Sequence, residues 1–282
     1  MRRLKQMKSD LGLTKKNFWI IAANSTASYV LAFLLIFYLN HFIKIIIAGS
    51  YGYDLGFDWY DINYYIKPYE WTHDSVKLIY SSGPILIFIV GLISLIAFWS
   101  LVEEPARIKT FFMWLTLHAF NFFFGGLLIG NLFKKGVGHV FNWMYLTDTT
   151  KMIVALLGFL GLLGTAYFLS KPAAITANSY FSKLDERNFP YFITAQLILP
   201  FVLGTIIYLG FFLPEILFQE AYSWISLALI LIFIIGRINR MGTLYFDEEI
   251  KSTRLSIIII LITFVIFIVI RVMLRNEIFV SW

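Results

Sequence analysis

Seven apolar stretches alternate with short polar segments along the chain: Phe18–Ala48, Pro84–Leu101, Phe111–Phe133, Met152–Leu169, Tyr191–Leu213, Ala221–Ile235 and Leu255–Leu274. About 20 residues at 1.5 Å each match the hydrocarbon thickness of a bilayer, so a mostly apolar run of roughly 18 or more reads as a transmembrane helix. Backbone in lipid must satisfy its own hydrogen bonds, which restricts such runs to helices. The pattern predicts an all-α integral membrane protein, a polytopic bundle of about seven transmembrane helices. The first stretch is over-long and is expected to tilt or to project beyond the lipid. The sixth is short.

Composition agrees with the pattern. Of 282 residues, 59% are hydrophobic and only 14% charged, against about 25% charged in soluble domains. One membrane domain spanning 1–282 uses nearly the whole chain, leaving a basic leader (1–17) and one long connection (49–83). The formal charge of +6 would suggest nucleic acid in a soluble protein. Here the basic residues sit in the leader and in short loops, so no nucleic-acid partner is expected. The absence of cysteine excludes disulfides, thiolate metal sites and thiol nucleophiles. The first apolar run exceeds a typical signal-peptide h-region, so it reads as a retained helix.

Lys and Arg also orient the bundle. Arg2, Arg3, Lys5, Lys8, Lys15, Lys16, Arg107, Lys109, Lys183, Arg187, Arg237, Arg240, Lys251 and Arg254 fall on one side if every stretch crosses once. Positive residues are retained in the cytoplasm, which puts the N-terminus there and the C-terminus outside, in a membrane read as the bacterial inner membrane. Lys67, Lys77, Lys134, Lys135, Lys151, Arg271 and Arg275 fall on the opposite side, so the orientation rests on the excess, and Lys134 with Lys135 leaves a re-entrant third stretch open. Gly125, Gly126 and Gly130, with Gly158, Gly161 and Gly164, are expected to let the third and fourth helices approach closely.

The outer connection interleaves aromatic rings with carboxylates. Asp54, Asp58, Trp59, Asp61 and Trp71, with His139 and Asp148 from the next outer loop, are its candidate binding residues. Stacking with charge-assisted hydrogen bonds suits a sugar or cationic ligand. Tyr and Trp equally suit a protein interface or simple placement at the headgroups. Asp54, Asp58 and Asp61 recur at helical spacing, so one wet face of a short helix also explains them.

Inside the bundle, His118 and Asn121 share one helix face at i and i+3, and Gln196 precedes Pro200 in a stretch expected to kink. Polar side chains within a membrane segment are functional candidates by default. His118 could relay protons, ligate a metal or bond a neighbouring helix; a histidine satisfied by Asn121 or by that helix is the simpler account. The frame His118-Ala-Phe-Asn-Phe lacks the glutamate and second histidine of the zinc motif His-Glu-x-x-His. The last stretch offers no lysine between Leu255 and Ile270 for a retinal Schiff base. No catalytic motif is complete, and neither metal nor cofactor is expected.

Three functions follow. The first is a non-enzymatic subunit or scaffold of a larger membrane assembly, with protein partners or further copies of itself. The second is a small transporter or channel with a polar path near His118 and Asn121. The third is an outer-face enzyme acting on lipid-linked or glycan substrates.

Overall fold

The computed structural model describes residues 13–104, 106–214, 218–246 and 253–282. The leader up to Gly12, Lys251 and the acidic run 247–249 lie outside the described residues. Helices dominate. Five are long and apolar enough to cross a membrane, and two more, Ser223–Ile238 and Ile257–Met273, are apolar but shorter.

Helix α1 (Lys15–Ser50) opens on Thr14, whose hydroxyl accepts the Asn17 N–H and so satisfies one of the orphan donors of the first turn. Its 36 residues rise about 54 Å at 1.5 Å each, well beyond a hydrocarbon core. Gly52, at φ +70°, turns the chain away. Asp54, Asp58 and Asp61 then line no helix. The connection forms a hairpin of β1 (Leu55–Phe57) and β2 (Ile62–Tyr64). Asp58 accepts the Tyr60 and Asp61 N–H groups at 2.8 and 3.0 Å, an Asx turn that outcompetes helix formation.

Helix α2 (His73–Ser100) starts eleven residues before Pro84, because Thr72 and Ser75 cap each other's backbone N–H groups at 3.1 Å. Pro84 lies inside the helix, tolerated where neighbours re-satisfy the freed carbonyl. The third stretch is one continuous rod, α3 (Ile108–Phe120), a π turn (Asn121–Gly125) and α4 (Gly126–Phe133). It does not fold back within the bundle. Left-handed Lys134 stops it, and short α5 (Gly138–Trp143) leads to α6 (Asp148–Ile175).

A second π turn (Thr194–Ile198) joins α7 (Phe189–Ile193) to α8 (Leu199–Phe212). Pro200 has no N–H for the carbonyl of Gln196 four residues earlier, and that oxygen instead accepts the Ser25 hydroxyl at 2.7 Å. The kink expected at Pro200 is thus absorbed as a π turn. Helices α9 (Phe218–Ile238) and α10 (Ile257–Met273) complete the bundle. At the start of α10, Asn24 of α1 accepts the Ser256 N–H at 2.7 Å and donates to the Arg254 carbonyl at 3.0 Å.

The two ends of the bundle differ. At the leader face, Tyr191 donates to the Thr14 carbonyl, Asn178 to that of Glu103, and β3 (Lys183–Leu184) pairs with β4 (Leu244–Tyr245). At the loop face, β5 (Ile278–Val280) adds antiparallel to β1, giving the sheet order β2-β1-β5. Leu55 and Ile62 on its inner face pack on Ala48, Tyr53 and Ile79.

The interior combines a hydrophobic core with buried polar side chains, and many large apolar side chains lie outside it. Asn24, Ser25, Asn40, Asn121 and Gln196 are buried, whereas Ile96, Phe168, Ile258 and Val272 are about two-thirds exposed or more. At mid-bundle the rings of Tyr29, Phe33, Trp114 and Tyr208 interlock, and Gly204 admits the Tyr29 ring where any Cβ would collide with it.

Candidate functional site

The three interior candidates occupy different levels and do not form one site. His118 is walled in by rings, with centroids at 4.5 Å from Tyr29 and 5.8 Å from Phe33, and its Nε2 has no partner. Asn121, in the π turn, is fully engaged. Its amide donates to the Ser223 carbonyl and hydroxyl at 3.1 and 3.0 Å and accepts from Ser226 at 2.7 Å. That ties α3 to α9. Gln196 donates to Thr110 at 3.0 Å near the leader face. Trp114 bridges towards it through Ser25 at 2.8 Å.

The glycines divide in the same way. A Cβ at Gly158 would meet the Phe124 carbonyl and Leu127, and one at Gly161 the Phe124 ring, so these two set the contact between the third and fourth stretches. Gly125 faces Ser226, and Gly130 packs on the backbone of Gly138. Gly126 and Gly164 face open space.

On the loop face the carboxylates serve the sheet. Asp54 accepts the Trp282 N–H at 3.3 Å, Asp61 the Ile62 N–H at 2.8 Å, and Asp58 the hairpin turn. Burial, offset in part by the Ile62 N–H, raises the Asp61 carboxyl above its ordinary range. Trp71 stands edge-on to Tyr53 and Tyr64. His139 rests on Tyr80 at 5.0 Å, and burial with nearby Lys44 and Lys135 lowers its proton affinity. Asp148 instead faces Lys151 at 3.6 Å and Lys134 at 3.9 Å. Among the described residues no three His, Asp or Glu side chains converge.

Trp59 has the most specific role. Its ring lies under the Arg271 guanidinium at 4.0 Å, its carbonyl accepts the Tyr38 hydroxyl at 2.7 Å, and Arg271 donates to the Leu213 carbonyl at 3.0 Å. Arg271 is drawn to the hairpin, because the ring face attracts a weakly hydrated cation.

The C-terminal strand carries what the sequence reasoning overlooked. Glu277 accepts from Asn63 at 2.8 Å and from Tyr65 at 2.7 Å. Tyr65 and Phe279, on the outer face with centroids 5.6 Å apart, are 54% and 59% exposed. The short β-branched and aromatic run Ile278-Phe279-Val280 is the sequence signal that favours a strand there. Also unforeseen is a small cleft of about 70 Å³ lined by Asn40, Lys44, Tyr80, Asn121, Lys135 and Ser223. Asn40 and Lys44 lie within the first apolar stretch, where the run of Ile and Phe hides them.

Together these contacts make an aromatic platform tied to α1, α2, α10 and the C-terminal strand, with Asp54, Asp58 and Asp61 turned to backbone donors. Comparison with protein-family models, with curated proteins and with solved structures returns no match.

Proposed function

We propose that this chain is a seven-span integral membrane protein, its leader face cytoplasmic in a membrane of the bacterial inner type. It acts as a non-enzymatic subunit of a membrane assembly that docks a protein partner on the loop-face sheet. The many exposed apolar side chains on the long helices, with polar side chains buried between those helices, support insertion. Seven crossings follow if the two shorter helices span as well, since the ends of successive helices meet alternately at the two faces. In the sequence, the excess of basic residues in the leader and in the loops after α2, α6 and α9 supports the orientation.

The single observation that carries the docking role is the exposed Tyr65–Phe279 pair on a sheet clamped by Glu277 and Trp59. Rigid aromatic area loses little entropy on binding, which is why Tyr, Trp and Phe are favoured anchors. The carboxylates that would do acid–base work instead accept backbone hydrogen bonds. Aromatic packing around His118 gives no support to a polar path there.

Native mass measurement after mild detergent extraction tests the reading. We expect a discrete particle heavier than the 32.7 kDa chain, reduced to the single chain by Tyr65→Ser with Phe279→Ser. A lone chain in both proteins under several mild detergents overturns it.

A further inference from the structure

A groove of about 640 Å³ runs between α6 and α9 and opens at the leader face. Leu163, Ile232 and Phe233 wall it, and Gly236, whose Cβ position meets nothing within 4 Å, leaves its floor open. Two guanidinium groups, Arg237 and Arg240, also line it. The Arg237 guanidinium lies 3.3 Å above the Tyr167 ring centre, which fixes its plane and leaves its N–H edge available. Neither arginine has an ion-pair partner among the described residues. Asp185, in the adjoining cleft that shares Met241, is engaged by Lys183 at 3.0 Å.

An apolar groove with two guanidinium groups at its leader-face end suits a molecule with an apolar chain and an anionic head. We propose that the groove binds an anionic phospholipid, an acyl chain lying along Leu163, Ile232 and Phe233 and the phosphate held by Arg237 and Arg240. Arginine matches phosphate by paired N–H donors. Basic pockets between helices on the cytoplasmic side are where anionic headgroups are held. The inference rests on the membrane-spanning, leader-inside reading above, and it assigns a lipid class to a face that the docking proposal leaves unused.

The test uses the full chain, delipidated in mild detergent and offered phosphatidylglycerol or phosphatidylcholine, with bound lipid counted by native mass spectrometry. About two arginine contacts near the surface give an expected preference for phosphatidylglycerol of about tenfold or more. Arg237→Gln with Arg240→Gln should abolish the preference. Gly236→Leu, placed where there is room for it, should block the chain and lower binding with both arginines intact. Equal retention of the two lipids, preference surviving in the arginine variant, or full competition by glycerol 3-phosphate without chains would each overturn the proposal. Release of the protein from membranes by alkaline carbonate would instead bring down the membrane reading itself, and the lipid site with it.

Discussion

The Arg271 guanidinium of α10 lies 4.0 Å over the ring of Trp59 in the β1–β2 hairpin, joining residues 212 positions apart in the sequence. With Tyr38 donating to the Trp59 carbonyl and Arg271 to that of Leu213, four segments of chain meet at this one contact. It fastens the loop-face sheet to the helices below it.

A double-mutant cycle on Trp59→Leu and Arg271→Gln should therefore give a coupling of about 0.5–2 kcal/mol by thermal melting in detergent. Arg271→Lys should recover only part of the loss, since an ammonium lacks the planar face that stacks on an indole. Strict additivity of the two single variants would show that the stacking contributes nothing.

How much of this was legible in the sequence depends on which interaction sets each element. Helix positions were readable because long apolar runs have one backbone solution, and the largest boundary shift, eleven residues at the start of α2, came from a local cap at Thr72. The hairpin was not, because Asp54, Asp58 and Asp61 have a helical period that the Asx turn at Asp58 overrides. The join of β5 to β1 was hidden for a different reason. Pairing across more than 200 residues leaves no local mark except the short β-branched and aromatic run at 278–280. Asn121 stood out as a polar candidate, and its three hydrogen bonds go to Ser223 and Ser226, which no spacing rule connects to it.

Asn24 provides a cap from a distance. Because its side chain both accepts from Ser256 and donates to the Arg254 carbonyl, Asn24→Ala should strip the first turn of α10 of a donor partner. The expected cost is about 1–2 kcal/mol. Asn24→Asp keeps the acceptor and should cost less than the alanine. Hydrogen exchange at Ser256 and the residues following it reads this directly; unchanged protection in the alanine variant would show that the contact is incidental.

Gly158 lies where α6 crosses the π turn, against the Phe124 carbonyl and Leu127. Backbone cannot yield as a flexible side chain can, so Gly158→Leu should separate the helices and destabilise the fold by about 1–3 kcal/mol. Gly164→Leu, facing open space in the same helix, is the control and should melt near the parent. Similar melting of the two variants would mean that close approach at Gly158 is not needed.

The grip of Glu277 on the sheet should depend on pH with a definite sign. Hydrogen bonds from Tyr65 first, and from Asn63 second, lower the Glu277 carboxyl below its ordinary 4.5, and the same bond to Glu277 raises the Tyr65 hydroxyl above its ordinary 10.0. A depressed carboxylate contributes its full share above the unfolded value and loses it as pH falls through the folded one. A raised phenol contributes below its unfolded value and loses its share as pH rises through the folded one. The strand should thus be held most firmly between those ranges and loosen first on acidification. Fluorine resonance of 4-fluorophenylalanine at position 279 should shift and sharpen as pH drops below about 4.5, the ordinary Glu value, and Glu277→Gln should remove that transition. Asp61, raised by burial, works in the opposite direction and would tighten the hairpin on acidification. A signal at Phe279 that becomes more immobile in acid would therefore assign control of this face to Asp61 rather than to Glu277.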